Sequence, residues 1–412
     1  MRVHYPCCAG IDVHKKRVTV CVRVTEAGKV QIQIREFGTT TGELLELCDW
    51  LKEKGVGSLA MESTGSYWKP LYNLMEGQFE ILLANAHHMK TVPGRKTDTK
   101  DAEWIAELYA HGLLKASFVP DQEQRGMREL TRTRTGLVGE RARLANRIQK
   151  LLEDANIKLA SVASNVLGTS GRLMLRSLIE GQDDPKVVSD LAKGLLRKKI
   201  PALEQALHGR ILPYHRIVLR ELLRQVESLD ESIANLDKAI NQAMEDSDRP
   251  FETGVSLLTT IPGVAELGAR SVLAEIGTNM DQFPSDRHIS SWAGISPGNN
   301  ESGGKRLSGR TTQGNVWVKR CLVQMANAAS RAKNSYFQAM YSRLARRIGR
   351  KRAIIAVAHA ILVAMYHMLK NGVPYEDLGA DYFDRVNSER TIKHLVQRLG
   401  KLGVDVPLQG GA

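Results

Sequence analysis

Four valines set the first constraint on this chain. Val18, Val20, Val22 and Val24 recur at every second position, the period of a strand with one buried face and one exposed face. Glu26-Ala27-Gly28-Lys29 then supplies a turn, and Gln31-Ile32-Gln33-Ile34 a returning strand of the same period. Around this hairpin, apolar runs at 9–13, 58–62 and 79–84 are separated by helical stretches over about 41–54 and from Tyr67 to Met75. An antiparallel pair feeding strand–helix units predicts an α/β sheet of mixed direction. That order is compatible with a ribonuclease-H-like fold, although the pattern alone does not single it out.

Two of these strands carry acids where charge is costly. Asp12 sits in Ala9-Gly10-Ile11-Asp12-Val13, and Glu62 closes Ser58-Leu59-Ala60-Met61-Glu62. Burying a carboxylate costs several kcal/mol unless it is compensated. Asp98 and Asp101 follow in Lys96-Thr97-Asp98-Thr99-Lys100-Asp101-Ala102, at the head of a predicted helix, where a spacing of three puts both on one side. Facing a central strand with Asp12 and a neighbour with Glu62, they would complete a four-acid cage. All-oxygen donors of this kind suit Mg²⁺ or Mn²⁺, and a pair of such cations serves phosphodiester chemistry. Surface acids and helix N-terminal charges produce the same Asp-x-x-Asp spacing, so spacing by itself leaves both readings open. His87-His88 lacks further ligands at metal spacing and reads as a loop pair.

From about 121 to 250 the pattern is helical. Leu130, Leu137, Leu144 and Leu151 are spaced by seven on an arginine-rich stretch. A longer seam runs through Leu219, Leu222, Val226, Leu229, Ile233, Leu236, Ile240 and Ala243 in steps of three and four. It fits a coiled coil between subunits, and it fits equally a long helical hairpin folding back on the first helix. Residues 155–212 between the two form a helical insertion to which no chemistry is assigned.

Residues 251 onward make a third part. Thr260-Ile261-Pro262-Gly263-Val264 leads into a helix from Glu266 to Ile276, the second half of a helix-hairpin-helix signature whose backbone N–H groups hold a phosphate. A plain turn uses the same residues, and Ala265 stands where the DNA-binding hairpin has a second glycine. Next comes the run Gly294 to Gly304, read as a glycine-rich loop too polar for a core. It carries Ser302 ahead of Gly303-Gly304 and of Lys305-Arg306. A serine hydroxyl on a flexible loop beside positive charge is a nucleophile for phosphorus if a metal or base activates it; Ser-Gly pairs are also ordinary turn residues. No His or Asp neighbour makes a hydrolase triad around Ser302.

Charge favours one class of partner, although a run of cations is also what a solvated basic face looks like. The net charge is +13, which favours a polyanion, and the excess is uneven: from Ser302 to Tyr375 there are fourteen Lys or Arg and no Asp or Glu. Lys305, Arg306, Arg310, Lys319, Arg320, Arg343, Arg346, Arg347, Arg350, Lys351 and Arg352 are the cations expected to bind nucleic acid, through phosphates rather than bases. Five scattered cysteines without a Cys-x-x-Cys pair fit a reducing cytosol, and the N-terminus lacks an apolar signal core. The most apolar stretch, Ala353 to Leu369, contains His359 and His367 and reads as a buried helix, short for a membrane span.

Three collinear motifs carry a resemblance. Gly-Ile-Asp-Val around Asp12, Glu62-Ser63-Thr64-Gly65-Ser66-Tyr67, and Lys96 to Ala102 are similar to the DEDD transposases of bacterial insertion sequences. More narrowly, they resemble the IS-one-ten family of RNA-guided bridge recombinases. Ile261-Pro262-Gly263, Trp292-Ala293-Gly294 through Ser302-Gly303, and Gly314-Asn315 before a basic helix resemble that family's second domain; residues 155–212 match least well. The resemblance implies a RuvC-like (ribonuclease-H-like) α/β domain over 1–118 and a helical coiled-coil or dimerisation region over 119–250. It implies a mainly helical transposase domain with a helix-hairpin-helix-like element over 251–380, and a tail over 381–412. Asp12, Glu62, Asp98 and Asp101 would hold Mg²⁺ or Mn²⁺, and Ser302 would join the DNA end covalently to the protein. Donor DNA, target DNA, an element-encoded bridge RNA and further copies of the chain, as a dimer of dimers, are the implied partners, in the bacterial cytoplasm and away from membranes. The expected function is strand cleavage, exchange and rejoining that mobilises an insertion sequence. A Holliday-junction-resolvase-like nuclease using water, and a scaffold with a decayed acid cluster, are the alternatives.

Overall fold

The structure, a computed structural model, describes residues 2–63, 65–84, 101–297, 300–308, 310–311, 313–386 and 388–404. Asp98 and the His87-His88 pair lie outside the described residues. The chain divides into two compact units, 1–122 and 123–412.

The first unit is a five-stranded mixed sheet in the order β3-β2-β1-β4-β5. Its strands are β1 (Cys7–Val13), β2 (Val18–Glu26), β3 (Lys29–Phe37), β4 (Ser58–Glu62) and β5 (Glu80–Ala84). β2 runs antiparallel to both neighbours, and β1, β4 and β5 are parallel. The valine alternation is realised in β2, where Val18, Val20 and Val22 are buried. Helices α1 (Thr41–Glu53) and α2 (Trp68–Met75) cover one face, packing Leu44, Leu47, Leu51, Leu71 and Met75 on Ile11, Val20, Leu59 and Met61. Helix α3 (Asp101–Ala110) covers the other, with Ile105, Leu108 and Tyr109 against Cys8 and Ala60. Side chains alternate across a strand, so Cys8, Gly10 and Asp12 face α3 while Ala9, Ile11 and Val13 face α1 and α2.

The second unit is mostly helical. Its two longest helices, α4 (Gln122–Asp154) and α9 (Pro213–Glu245), pair within the chain through Arg134–Asp237 and Arg141–Asp230, so the hairpin alternative describes this part of the seam. Leu219, Leu222 and Val226 of α9 are consumed by an intrachain core, together with Ile148 and Leu152. The insertion supplies the rest of that core through α5 (Leu159–Val162), α6 (Thr169–Ile179), α7 (Pro185–Ser189) and α8 (Ile200–Leu207). Its two ends are fastened together: buried His215 sits 2.9 Å from Asp154, and its other ring nitrogen accepts the Leu212 N–H at 3.0 Å. Leu229, Ile233 and Leu236, in the middle of the seam, remain only partly buried.

Helices α10 (Phe251–Leu258), α11 (Glu266–Ile276) and α12 (Asp286–Trp292) precede a small hairpin of β6 (Asn300–Ser302) and β7 (Lys305–Ser308). Then follow α13 (Val316–Ala329), α14 (Tyr336–Ile348), α15 (Arg350–Asn371), α16 (Tyr382–Val386) and α17 (Ser388–Gly400). By length and composition α15 could cross a membrane, yet half of its apolar window is buried inside the protein. It packs on α10, α12, α13 and α14, as a core helix does.

The run expected to be a glycine-rich loop is different in kind. Its first residues, Gly294 and Ile295, are buried, the Gly294 oxygen accepting from Lys319 of α13 and the Ile295 N–H donating to the Ser290 oxygen, and Asn300–Ser302 form one strand of the β6–β7 ladder instead of a flexible loop. The ladder pairs Ser302 with Lys305, leaving Gly303 and Gly304 as a two-residue connection with φ of +57° and +74°. Positive φ at both positions marks the turn that matches the twist of paired strands and favours glycine.

Candidate active site

Register brings two of the predicted acids together. β1 and β4 are paired in parallel with Ile11 opposite Met61, and both those side chains lie in the core under α1 and α2. One residue further along, Asp12 and Glu62 therefore face the α3 side, on strands ~4.8 Å apart.

Gly10 brings the third. A β-carbon there would lie 2.3 Å from both the Ala102 oxygen and the Ala106 nitrogen, so α3 rests its backbone directly on β1. The Cys8 thiol reaches the Ala106 oxygen at 3.8 Å, and the His4 N–H reaches Ala110. Helix α3 thus runs antiparallel to β1, and its first residue, Asp101, stands at the end where Asp12 and Glu62 emerge. The helix N-terminus also presents partial positive charge to that end.

Asp12 is 14% exposed, and one of its oxygens lies 2.9 Å from His14 Nε2. His14 was not legible as a partner, since a lone histidine after a strand carries no pattern of its own. Nearby thiols offer no competing nucleophile: burial pushes Cys8 up to about 11 and Cys21 up to about 12, so both stay protonated near neutral pH. The three described acids give hard oxygen donors only, the chemistry that suits Mg²⁺ or Mn²⁺. Among the described residues no three acidic, histidine or cysteine side chains are arranged closely enough to hold a metal ion.

The second unit carries the other predicted residues. Ser302 ends β6, directly before the Gly303-Gly304 turn, whose two glycines and Lys305 are exposed. Arg306 pairs through its backbone with Glu301, and Arg310 is exposed. Arg320 stacks over the Trp317 ring at 5.5 Å, and Arg343 over Phe383 at 5.4 Å. Arg346, Arg347, Arg350, Lys351 and Arg352 cluster, all exposed, where α14 meets α15. Lys319 differs from the rest: its ammonium donates to the Gly294 oxygen at 2.9 Å and to Thr311 Oγ1 at 2.7 Å.

The Ile261-Pro262-Gly263 hairpin packs on the end of α13. Gly263 has a φ of +89°, and a β-carbon there would sit 2.4 Å from the Ala329 nitrogen. A buried charge network that sequence reasoning missed lies close by. Glu275, 2% exposed, accepts from Arg132 at 2.6 and 2.7 Å and from Asn315 Nδ2 at 2.7 Å.

Comparison with known proteins places both units. A model of DEDD transposases, described as a transposase, matches residues 9–157. A second, described as the transposase IS116/IS110/IS902 family, matches residues 255–342. A "Probable family 20 transposase" of Pseudomonas aeruginosa is 26% identical over 277 residues, 66% of this chain and 71% of that protein. "Insertion element IS110 uncharacterized 43.6 kDa protein" of Streptomyces coelicolor is 26% identical over 310 residues, 69% of this chain and 73% of its own length. A "Pilin gene-inverting protein" of Moraxella bovis is 27% identical over 149 residues, 35% of this chain and 46% of that protein.

Proposed function

The chain belongs to the IS110 family of transposases, and from that premise we propose that it mobilises an insertion sequence by serine-mediated, metal-assisted strand exchange directed by an RNA guide. The observation that carries the proposal is the convergence of Asp12, Glu62 and Asp101 on one end of one sheet face. The sheet order, with β2 alone running against the rest, is that of ribonuclease-H-like folds and supports a RuvC-like reading of the first unit. Asp12, Glu62, Asp98 and Asp101 would hold Mg²⁺ or Mn²⁺. When bound, such a cation supplies charge neutralisation at phosphorus.

Ser302 is the nucleophile in this scheme. Its oxygen forms a bond to phosphorus, one bond from phosphorus to a deoxyribose oxygen breaks, and the serine proton ends on that leaving oxygen. The phosphoserine link conserves the energy of the phosphodiester, so the reverse attack by a strand end reseals DNA without ATP. A relative named for inverting a pilin gene accords with cutting and rejoining of this kind. The predicted cations from Lys305 to Arg352, Lys319 apart, would neutralise phosphates of DNA and guide. Base pairing would then read sequence while the protein reads backbone and shape.

A covalent-adduct assay tests the scheme. Purified protein, RNA transcribed from the element's flank, Mg²⁺ and labelled donor and target DNA are resolved on a denaturing gel beside Ser302→Ala. Label shifting to the wild-type protein, and absent from the variant, is the expected result. Cleavage without an adduct, indifferent to Ser302→Ala, would point to water as nucleophile and to the resolvase-like alternative.

Assembly is proposed to use the half-exposed middle of the α9 seam. Changing Leu229 and Leu236 together to Asp is expected to lower the mass measured by light scattering and to abolish recombination. A variant that keeps the wild-type mass would remove this seam from the assembly.

A further inference from the structure

Below the serine hairpin lies an arrangement that the strand-exchange scheme does not use. Lys319 sits one turn into α13, four residues after Asn315. Its ammonium bridges the two arms of the hairpin's foot: Gly294 leads up to it and Thr311 leads away, and Thr311 is itself bridged to Pro297. Next to this bridge the arms touch. A β-carbon on Gly314 would lie 2.3 Å from the Gly294 nitrogen and 2.5 Å from the Trp292 oxygen.

Asn315 fixes the same foot to the helices. Its N–H donates to the Trp292 oxygen at 2.9 Å, and its Oδ1 accepts from the Trp317 and Val318 N–H groups, capping α13. Its Nδ2 reaches Glu275, which Arg132 holds by a bidentate pair and Arg128 approaches at 3.4 Å. Both arginines come from α4. Charge-assisted hydrogen bonds away from water are short, directional and strong, so the foot is referenced to α11, α13 and α4 at once.

We propose that Lys319, with the Asn315–Glu275 pair, is the clamp that positions the Ser302 hairpin, and that its ammonium serves the protein's own backbone and not DNA phosphates. The inference rests on Ser302 being the nucleophile. Reach gives it consequence. Ser302 stands five residues beyond Pro297, a reach of at most ~17 Å, so the position of the foot bounds where the serine can stand. Misplacement by about 1 Å costs on the order of 10²-fold in rate. Lys319 is a positioning residue, acting through the chain it ties together.

The test uses full-length protein with the flank RNA, Mg²⁺ and labelled DNA in the adduct assay, run as single turnovers across DNA concentrations. Lys319→Met keeps the stem and removes both donated bonds. It is expected to lower the saturating rate of adduct formation by about 10²-fold, with the half-saturating DNA concentration and its salt dependence within about twofold of wild type. Amide hydrogen exchange over 300–308 should rise by about tenfold or more while α13 and α15 stay as protected as before. Lys319→Arg, which retains donors, should recover most of the rate, and the isosteric Thr311→Val should show the same pattern more weakly.

Weaker DNA binding with a shallower salt slope and an unchanged saturating rate would overturn the proposal and return Lys319 to the phosphate contacts. Unchanged exchange over 300–308 would overturn it too. If wild-type protein forms no adduct, the serine reading fails on its own account, and hydrogen exchange still judges the clamp.

Discussion

Asp12→Asn is expected to leave the protein folded and to reduce strand cleavage by at least about 10³-fold, the loss of roughly 4 kcal/mol of transition-state stabilisation. Asn matches Asp in shape, so the packing of β1 against α3 is unaffected. What disappears is a charge at the one end of the sheet where Glu62 and Asp101 also emerge. Like charges gathered on one face repel, so the thermal midpoint of the variant should stay level or rise. Residues that a site needs and the fold does not commonly show that combination. Initial cleavage rates over a range of Mg²⁺ and Mn²⁺, with DNA binding measured in parallel, decide the matter. Wild-type cleavage in Asp12→Asn would end the case for a carboxylate site. A fall in thermal midpoint together with activity would instead make Asp12 structural, with His14, 2.9 Å away, as the partner it loses.

Gly10→Val is expected to be the most damaging single change to the first unit. Gly10 is buried, and a β-carbon would lie 2.3 Å from two backbone atoms of α3 and 2.8 Å from Ala106 Cα. Backbone atoms cannot rotate away as a side chain can. The helix must lift by more than ~1 Å to restore ordinary contact, opening the core that Ile105, Leu108 and Tyr109 form with Cys8 and Ala60. Overpacking of a well-packed core costs typically about 1–3 kcal/mol, and a clash with backbone belongs at or above the top of that range. The transition of the first unit, followed by calorimetry or by limited proteolysis on heating, should fall by about 10 °C or more. Cleavage should also fall at temperatures where the unit remains folded, because a lifted α3 carries Asp101 away from Asp12. An unchanged transition would mean that α3 does not rest on β1 as described.

Much of the first unit was legible because its signals are local. Period-two valines, a Gly-containing turn and short apolar runs ending in acids are properties of adjacent residues, and the burial of Val18, Val20 and Val22 follows from them. The acids were legible for the same reason: an Asp or Glu inside a strand that should be buried is a local contradiction, and contradictions of that type mark sites. The seam of α9 was legible as a pattern but not as an assignment. Leu219, Leu222 and Val226 went to an intrachain core with the 155–212 insertion, and nothing in a heptad states whether its partner belongs to the same chain.

The foot of the serine hairpin was not legible at all. Glu275 lies in a stretch, Arg270 to Ile276, that could equally face water, and its burial is tolerable only because Arg132 and Arg128, more than 140 residues earlier, arrive with compensating charge. Lys319 counted as one more cation in an acid-free stretch until its ammonium was seen to end on the Gly294 carbonyl. The sequence by itself determined the strand pattern, the acids that interrupt it, the polyanionic partner and the family, because each is written in residues near one another or in simple sums. Only the tertiary structure decided which face the acids share, whether α9 turns inward and which lysine serves the protein itself. Those outcomes depend on contacts between residues far apart in the chain, and a buried charge is affordable only where folding delivers its partner.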